Sequence, residues 1–440
     1  MSENCITFSK EIPVRYSVDI AVLGGGIAGI SAACAAAKMG KKVLIVDKMN
    51  CLGGNSTSGG VASFCGETSG QGEIFDEIIH RLEGFGAIAE YNPYPKYSKE
   101  LKLSHNHEEL FEQTKPRIFD LQFLISVFDK MISTYNIECL LHTRVVDAIT
   151  TEGSVKQVVL AGQSGLEACS ADMFIDCTGE ADVVFHAGFG TMKGREEDNI
   201  QLPMSLMFFI RNLNDNKDIT LIPEEYAERV HNKDELPMNT LWPNGPSGNA
   251  IKIKINGFDS TDTVSLSKAE IESRKKMLQV IDYYQRVEKR NWYFDHISPM
   301  IGIREGRRVI GDYILKVSDI QAGRKFKDAI AKGVYFIDAL SPLSDKREML
   351  MKMEDSQVPP YQIPYRSLLV KDAVNLLVAG RCFSADQLAM SSARVFTTTS
   401  MMGQAAGIAA ALALQNNCTL RNLNVSELQK EITKKKGVLD

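Results

Sequence analysis

Apolar and polar positions follow three regimes along the chain. A short apolar run from Asp19 leads into Gly24-Gly25-Gly26-Ile27-Ala28-Gly29, an alanine-rich segment follows, and Val43-Leu44-Ile45-Val46 ends on Asp47. That order predicts strand, helix, strand. Phe119 to Tyr135 carries apolar residues at helical spacing (Leu121, Phe123, Leu124, Val127, Met131, Ile132), with strand-like Glu138 to His142 and Val145 to Ile149 behind it. Met173-Phe174-Ile175 then enters the small-residue turn Asp176 to Asp182. From Gly190 to about Ala373 the pattern changes to turn clusters such as Trp242 to Gly248, alternation such as Ile251-Lys252-Ile253-Lys254-Ile255, and a long charged helix from about Ser267 to Arg290. Asn375 to Ala379 restores a buried strand, followed by a helix whose first half is Gly403 to Gly407.

These regimes predict an α/β chain: a doubly wound, Rossmann-like domain in two parts, 1–189 and 374–440, around an inserted α+β substrate or cap domain, 190–373. The polar stretch 71–115, with Tyr91-Asn92-Pro93-Tyr94-Pro95, reads as an insertion with little core of its own that covers the ligand. No tandem repeat is evident.

The glycine turn is where chemistry enters. Gly24 allows a tight turn after the strand, Gly26 lets backbone approach a pyrophosphate, and Gly29 lets the helix pack closely on the sheet. Asp47 stands at the distance expected of a ribose ligand. The loop Leu52 to Gly60 follows this nucleotide strand directly, where doubly wound sheets bind ligands. Dinucleotide binding is the expectation.

Composition narrows the partners. The 440 residues carry a formal charge of -5 and 24% charged residues, which gives no reason to expect a polyanion. The N-terminus lacks the apolar core of a secretory signal, and Ile408 to Leu414 is too short to span a membrane, so a cytoplasmic location without membrane association is expected. Nine cysteines, with no C-x-x-C pair, predict reduced and mostly inert thiols and no metal site. Cys51 and Cys65 flank the glycine loop and could meet only through folding.

Taken in order, Gly24 to Asp47, Leu52 to Gly60, Thr178-Gly179, Arg304 to Arg308, Ala379-Gly380-Arg381 and Gly403 to Gly407 resemble the FAD-dependent oxidoreductases that share their fold with succinate dehydrogenase and fumarate reductase flavoproteins and, more distantly, glutathione reductase. The resemblance covers almost the whole chain. It implies FAD as cofactor, with the ADP half held by Gly24, Gly26, Ala28 and Gly29 and the ribose by Asp47, beside Lys48. Gly54, Asn55, Ser56 and Gly60 of the loop are implied to pass along pyrophosphate and flavin, with Thr178, Gly179 and Asp182 nearby. Val145 resembles the position that holds adenine through its backbone. Gly380 and the turn containing Gly403, Gln404 and Ala405 are implied to lie by the ribityl chain and ring, where a helix N-terminus favours negative charge. The succinate dehydrogenase branch attaches FAD through a histidine; Asn55 to Gly60 contains none, so noncovalent FAD is expected. Gly188-Phe189-Gly190 lacks the spacing of a second nucleotide motif, which leaves the electron donor or acceptor open.

Flavin supplies the redox chemistry, so the protein must position a small-molecule substrate, handle a proton and compensate charge. Arg304 and Arg308, four apart, are expected on one helical face as a carboxylate clamp, or else in salt bridges with Glu305 or Asp312. Arg394, between strand and helix of the C-terminal motif, is the favoured charge-compensating or substrate-orienting group. His296, Tyr365 and Asp386 are candidates for proton transfer by residue type. The leading expectation is hydride transfer between a small organic substrate and FAD. Reduction of an activated C=C bond in a fumarate-like acid is an alternative, and a flavin-dependent RNA modifier or a noncatalytic flavin-binding protein is another.

Overall fold

The structure, a computed structural model, describes residues 6–7, 9–90, 117–212, 219–244 and 248–440. Tyr91 to Lys115 of the expected insertion and part of the Trp242 to Gly248 turn lie outside the described residues.

The first unit is strand β1 (Val14–Leu23), helix α1 (Ile27–Lys38) and strand β2 (Val43–Val46). Helix α2 (Glu73–Gly84) follows; its Ile74, Phe75, Ile78 and Leu82 are fully buried in the main core, so this part of the expected insertion is packed into the domain. Next come α3 (Leu121–Thr134), capped by Asp120 accepting from the Gln122 and Phe123 amides, and strands β3 (Glu138–Leu140), β4 (Arg144–Thr151), β5 (Ser154–Gly162) and β6 (Gly165–Asp176). The cap contributes β7 (Met204–Asn212), β8 (Asn239–Asn244), β9 (Gly248–Ile255), α4 (Thr263–Arg286) and β10 (Trp292–Ile297). Strand β11 (Leu376–Val378) and helix α5 (Phe396–Gln415) return to the first domain.

The parallel sheet runs β3-β2-β1-β6-β11. Strand β6 is long enough for two neighbours on one edge: its first half pairs antiparallel with β5 and its end, from Phe174 to Asp176, pairs parallel with β11. Helices α1, α3 and α5 cover one face. The other face is closed by side chains of β4, β5 and the short helix Asp182–His186, so the sheet is wound with a full helical layer on one side only.

Helices α1 and α5 pack so closely that side chains at the crossing would collide with backbone. A Cβ on Gly403 would lie 2.0 Å from the Ala28 carbonyl oxygen, and one on Gly407 would lie 2.2 Å from that of Ala32. Both glycines therefore fasten the two ends of the chain together.

In the cap, the sheet order is β8-β9-β7-β10. Period-two alternation assigns its faces. Leu206, Phe208, Ile251, Ile253 and Ile255 pack in one cluster with Val280 and Ile281 of α4. Met207, Lys252 and Thr240 form one cross-strand row and all three line the cleft between the two sheets. The main core also takes in Leu315, Ile330, Ile337, Ile363 and Leu369, together with Met207, Phe209 and Ala250 of the cap sheet, so one core runs through both regions. Among the described residues no helix is long and apolar enough to cross a membrane.

Candidate functional site

A cleft of about 360 Å³ opens at the C-terminal ends of β1, β2, β6 and β11, beneath the cap sheet. Ligands of open α/β sheets bind at such strand ends. At one end its wall is mostly backbone. Gly24 turns the chain at φ +101°, and a Cβ there would meet the Cys177 carbonyl oxygen at 2.3 Å. A Cβ on Gly29 would lie 1.9 Å from the Gly24 oxygen. Gly26 differs from both: nothing lies within 4 Å of its Cβ position, and it faces the cleft. Gly26 also caps α1 without any side-chain bond to the first-turn amides, leaving those donors for an anion.

Asp47 lines the same end. Its carboxylate accepts from the Gly25 amide at 2.6 Å and the Met49 amide at 2.7 Å. Burial raises its pKa, and these two donors oppose the rise. Lys48, Ala28, Gly54, Asn55, Thr178 and Gly179 line the cleft as well, as does Gly380 at φ +92°. The glycine loop is well tied. The Gly53 amide donates to the Gly25 oxygen at 2.7 Å, and Asn55 Nδ2 donates to the cap's Ile303 oxygen at 2.9 Å.

Several expected ligands stand elsewhere. Ser56 is fully buried and donates to the Gly53 oxygen, Gly60 packs on Met207 and Ser298, and Asp182 lies 3.6 Å from Arg307. The Val145 side chain is buried in the β4–β5 cluster, which leaves the role expected of its backbone open. Gly403, Gln404 and Ala405 sit in the middle of α5, not at a turn, and none lines the cleft. Gln404 instead accepts from the Ile74 amide and donates to the Lys435 oxygen. The helix start that faces the cleft is at Val395 and Phe396, eight residues or so before the expected one. Small residues serve a close helix crossing as readily as a ligand, which is why Gly403 to Gly407 misled.

The other end of the cleft is built from side chains. Arg304 is 8% exposed, lines the cleft, and donates to the Pro203 oxygen at 2.9 Å and Ser205 Oγ at 2.5 Å. Arg394 Nη2 donates to both the Asp338 carboxylate and the Asp338 carbonyl oxygen at 3.1 Å, while its buried Nε has no partner. Lys252 and Tyr335 complete this group. Burial, and then Arg304, pushes the Lys252 ammonium down to about 8. Burial alone would raise the Asp338 carboxyl; Arg394, Arg304 and Lys252 outweigh it and hold the group below its usual range.

Arg308 is not part of this group. Residues 304–308 form a bend and extended chain, not a helix, so four-residue spacing sends the two arginines apart. Arg308 is buried against Glu305, the Ala385 oxygen and the Gly194 oxygen. The proton-transfer candidates also lie outside the cleft: His296 stacks on Phe209, Tyr365 is buried and donates to the Leu420 oxygen, and Asp386 caps the helix Gln387–Ala393. Residue type alone could not place them.

Sequence reasoning missed Lys252, Asp338, Tyr335 and Arg381. Lys252 left one signal, the Ile-Lys alternation, whose polar face faces the cleft here. Arg381 Nη2 donates to Glu180 at 2.8 Å, and its buried Nη1 is without a partner. All eight cysteines among the described residues are free thiols, and burial pushes Cys65, which lines the cleft, upward.

A family model described as FAD dependent oxidoreductase matches residues 19–432. No curated protein matches the chain in sequence. Among solved structures, a geranylgeranyl bacteriochlorophyll reductase-like protein from Thermoplasma acidophilum is 13% identical at a TM-score of 0.49, covering 96% of this chain and 85% of its own. The anhydrotetracycline hydroxylase OxyS from Streptomyces rimosus is 10% identical at 0.49, covering 96% and 66%. A triple mutant of the flavin-dependent brominase Bmp2 is 11% identical at 0.48, covering 95% and 84%.

Proposed function

The chain belongs to the FAD-dependent oxidoreductase family, and from that premise we propose that it transfers a hydride between a small organic substrate, bound under the cap sheet, and noncovalently held FAD. It is an enzyme and its cofactor is FAD. The residues present suit that group. Open space in front of Gly26, uncapped amides at the start of α1 and the carboxylate of Asp47 suit its ADP half. Lys48 and Arg381, cations at the same end, suit a pyrophosphate.

The observation that carries the reading is that one cleft joins this glycine-lined end to the Arg304, Arg394 and Lys252 end. Bound FAD supplies two-electron redox chemistry; the chain must supply orientation and charge. Arg394, at the start of α5, and Arg304, from the cap, are the orienting groups. Lys252 and Tyr335 are the cleft residues able to hold or move a proton. The motif order supports kinship with the succinate dehydrogenase and fumarate reductase branch, and among the described residues no histidine lines the cleft to hold FAD covalently.

Anaerobic mixing of the purified protein with NADH, NADPH and a panel of metabolites, followed by the visible flavin band, tests the proposal. Bleaching by an organic metabolite supports it; a protein that purifies without flavin and takes up no added FAD overturns it. Acid precipitation should release all flavin to the supernatant, and flavin left on the precipitate would show a covalent link.

A further inference from the structure

The turn that leaves β6 holds a buried carboxylate in a closely fitted seat. Glu180 stands between Gly179 at φ +78° and Ala181 at φ +53°, and the second is a left-handed conformation that residues with a Cβ rarely take. Such an outlier in a buried turn points to a constraint imposed by its neighbours. Asp176 fixes the turn by accepting from the Thr178 amide and hydroxyl and from the Val184 amide. One oxygen of the Glu180 carboxylate accepts from Arg381 Nη2 at 2.8 Å, and the other lies 3.2 Å from the Ser260 hydroxyl, which is shared with the Glu305 carbonyl oxygen at 3.0 Å. Gly306 completes the seat: a Cβ there would lie 1.6 Å from Glu180 Oε2, and its backbone is not left-handed, so the carboxylate itself excludes a side chain.

Arg381 differs from the cation of an ordinary buried ion pair. It lines the cleft, and its Nη1, although buried, has no acceptor among the described residues. A buried donor left open in a ligand cleft calls for an acceptor on the ligand. Gly179 makes room for the guanidinium, since a Cβ there would lie 2.6 Å from Nη2. Lys48, also at this end of the cleft, is exposed, whereas Arg381 is held by Glu180.

We propose that Glu180 is a positioning residue for the cofactor: it holds Arg381 so that the open Nη1 donates to the FAD pyrophosphate, while Ser260 and the space at Gly306 hold Glu180. This rests on the FAD site proposed above and names the residues that keep its phosphate donor in place. A guanidinium meets phosphate oxygens as a rigid fork, so its orientation decides whether the bond forms. An arginine without Glu180 has to be ordered when FAD binds, at a cost in affinity. Gly306 stands two residues after Arg304, so the segment that reaches the substrate end also carries part of this seat.

Titration of the holoenzyme, read by the fluorescence of released flavin, tests the assignment with FAD and with ADP as competitor, because both carry the pyrophosphate. Arg381→Met should weaken FAD and ADP by similar factors, roughly ten-fold or more, and leave the flavin midpoint potential unchanged. Glu180→Gln should weaken both about three-fold or more, and should add nothing further in an Arg381→Met background. Gly306→Ala, which displaces the carboxylate, should reproduce Glu180→Gln. If Glu180→Gln does not fold, Ser260→Ala carries the test, with a loss of about two-fold that likewise vanishes in Arg381→Met. Weaker FAD with unchanged ADP and a shifted potential places Arg381 at the flavin ring and overturns the assignment. Additive losses in the double variant make Glu180 a structural residue only and overturn it too. Unchanged FAD affinity in Arg381→Met overturns this inference alone; a protein that takes up no FAD overturns the proposed function with it.

Discussion

The two ends of the cleft are made of different material. At the nucleotide end the wall is backbone, bent by Gly24, opened by Gly26 and backed by the amides of α1. At the substrate end it is side chain: Arg304, Arg394, Lys252 and Asp338 from separate segments, set among methionines. A backbone wall recognises groups that every FAD carries, and it tolerates little variation because a single Cβ fills it. A side-chain wall can be rebuilt one residue at a time. The contrast predicts that the two walls respond differently to substitution.

The largest effect should come from breaking the backbone wall at its tightest point. Gly29→Val drives a side chain into the Gly24 oxygen and should destabilise the fold by about 3 kcal/mol or more. Gly26→Val points into open cleft and should leave the melting temperature of the FAD-free protein unchanged while FAD binding falls at least ten-fold. Thermal melts with and without FAD check both. Equal destabilisation by the two would erase the distinction between a packing glycine and a ligand-facing one.

Breaking the side-chain wall should spare the cofactor. Arg394→Ala removes a charged donor from the substrate end, so flavin reduction should slow by roughly 10- to 100-fold with little loss of FAD. Stopped-flow bleaching and flavin content measure the two separately, and equal loss would make Arg394 a cofactor ligand only.

The smallest effect is in pH dependence. Lys252 and Lys254 both titrate near 8 when folded, pulled down first by burial and then by Arg304. The unfolded chain therefore binds more protons between about pH 8 and 10.5, and stability should rise with pH across that window. Lys252→Met should reduce this rise in the FAD-free protein and leave the part due to Lys254. An unchanged slope would place Lys252 in water.

The same division governs what the sequence discloses. Gly24, Gly26, Gly29 and Asp47 are local constraints of one turn, so their spacing is readable. Thr178-Gly179 and Gly380 follow buried strands and are readable from the apolar runs before them. Arg394 is legible from its place in the motif order. Nothing local marks Asp338 or Tyr335, because the loop that carries them acquires its role only when it folds against Arg394 and Lys252. Spacing misled at Arg304 and Arg308, since a four-residue interval means a shared face only in a helix. Composition misled at Gly403, where close approach is to a helix and not to a ligand. The doubly wound pattern is half right for a similar reason: strands β4 and β5 cover the face where a second helical layer was expected.

The fastening of α1 to α5 through Gly403 and Gly407 has a consequence for biosynthesis. Strand β11 and helix α5 complete the sheet and its helical layer, yet they are translated after everything else that builds the cleft. Strands β2 and β6 and helix α2 can meet β1 and α1 earlier, but the face of α1 that receives Gly403 and Gly407 lacks its partner helix until this last segment is made. Because Val395, Phe396 and Thr399 line the cleft, its wall is complete only once this C-terminal segment has joined the rest of the chain.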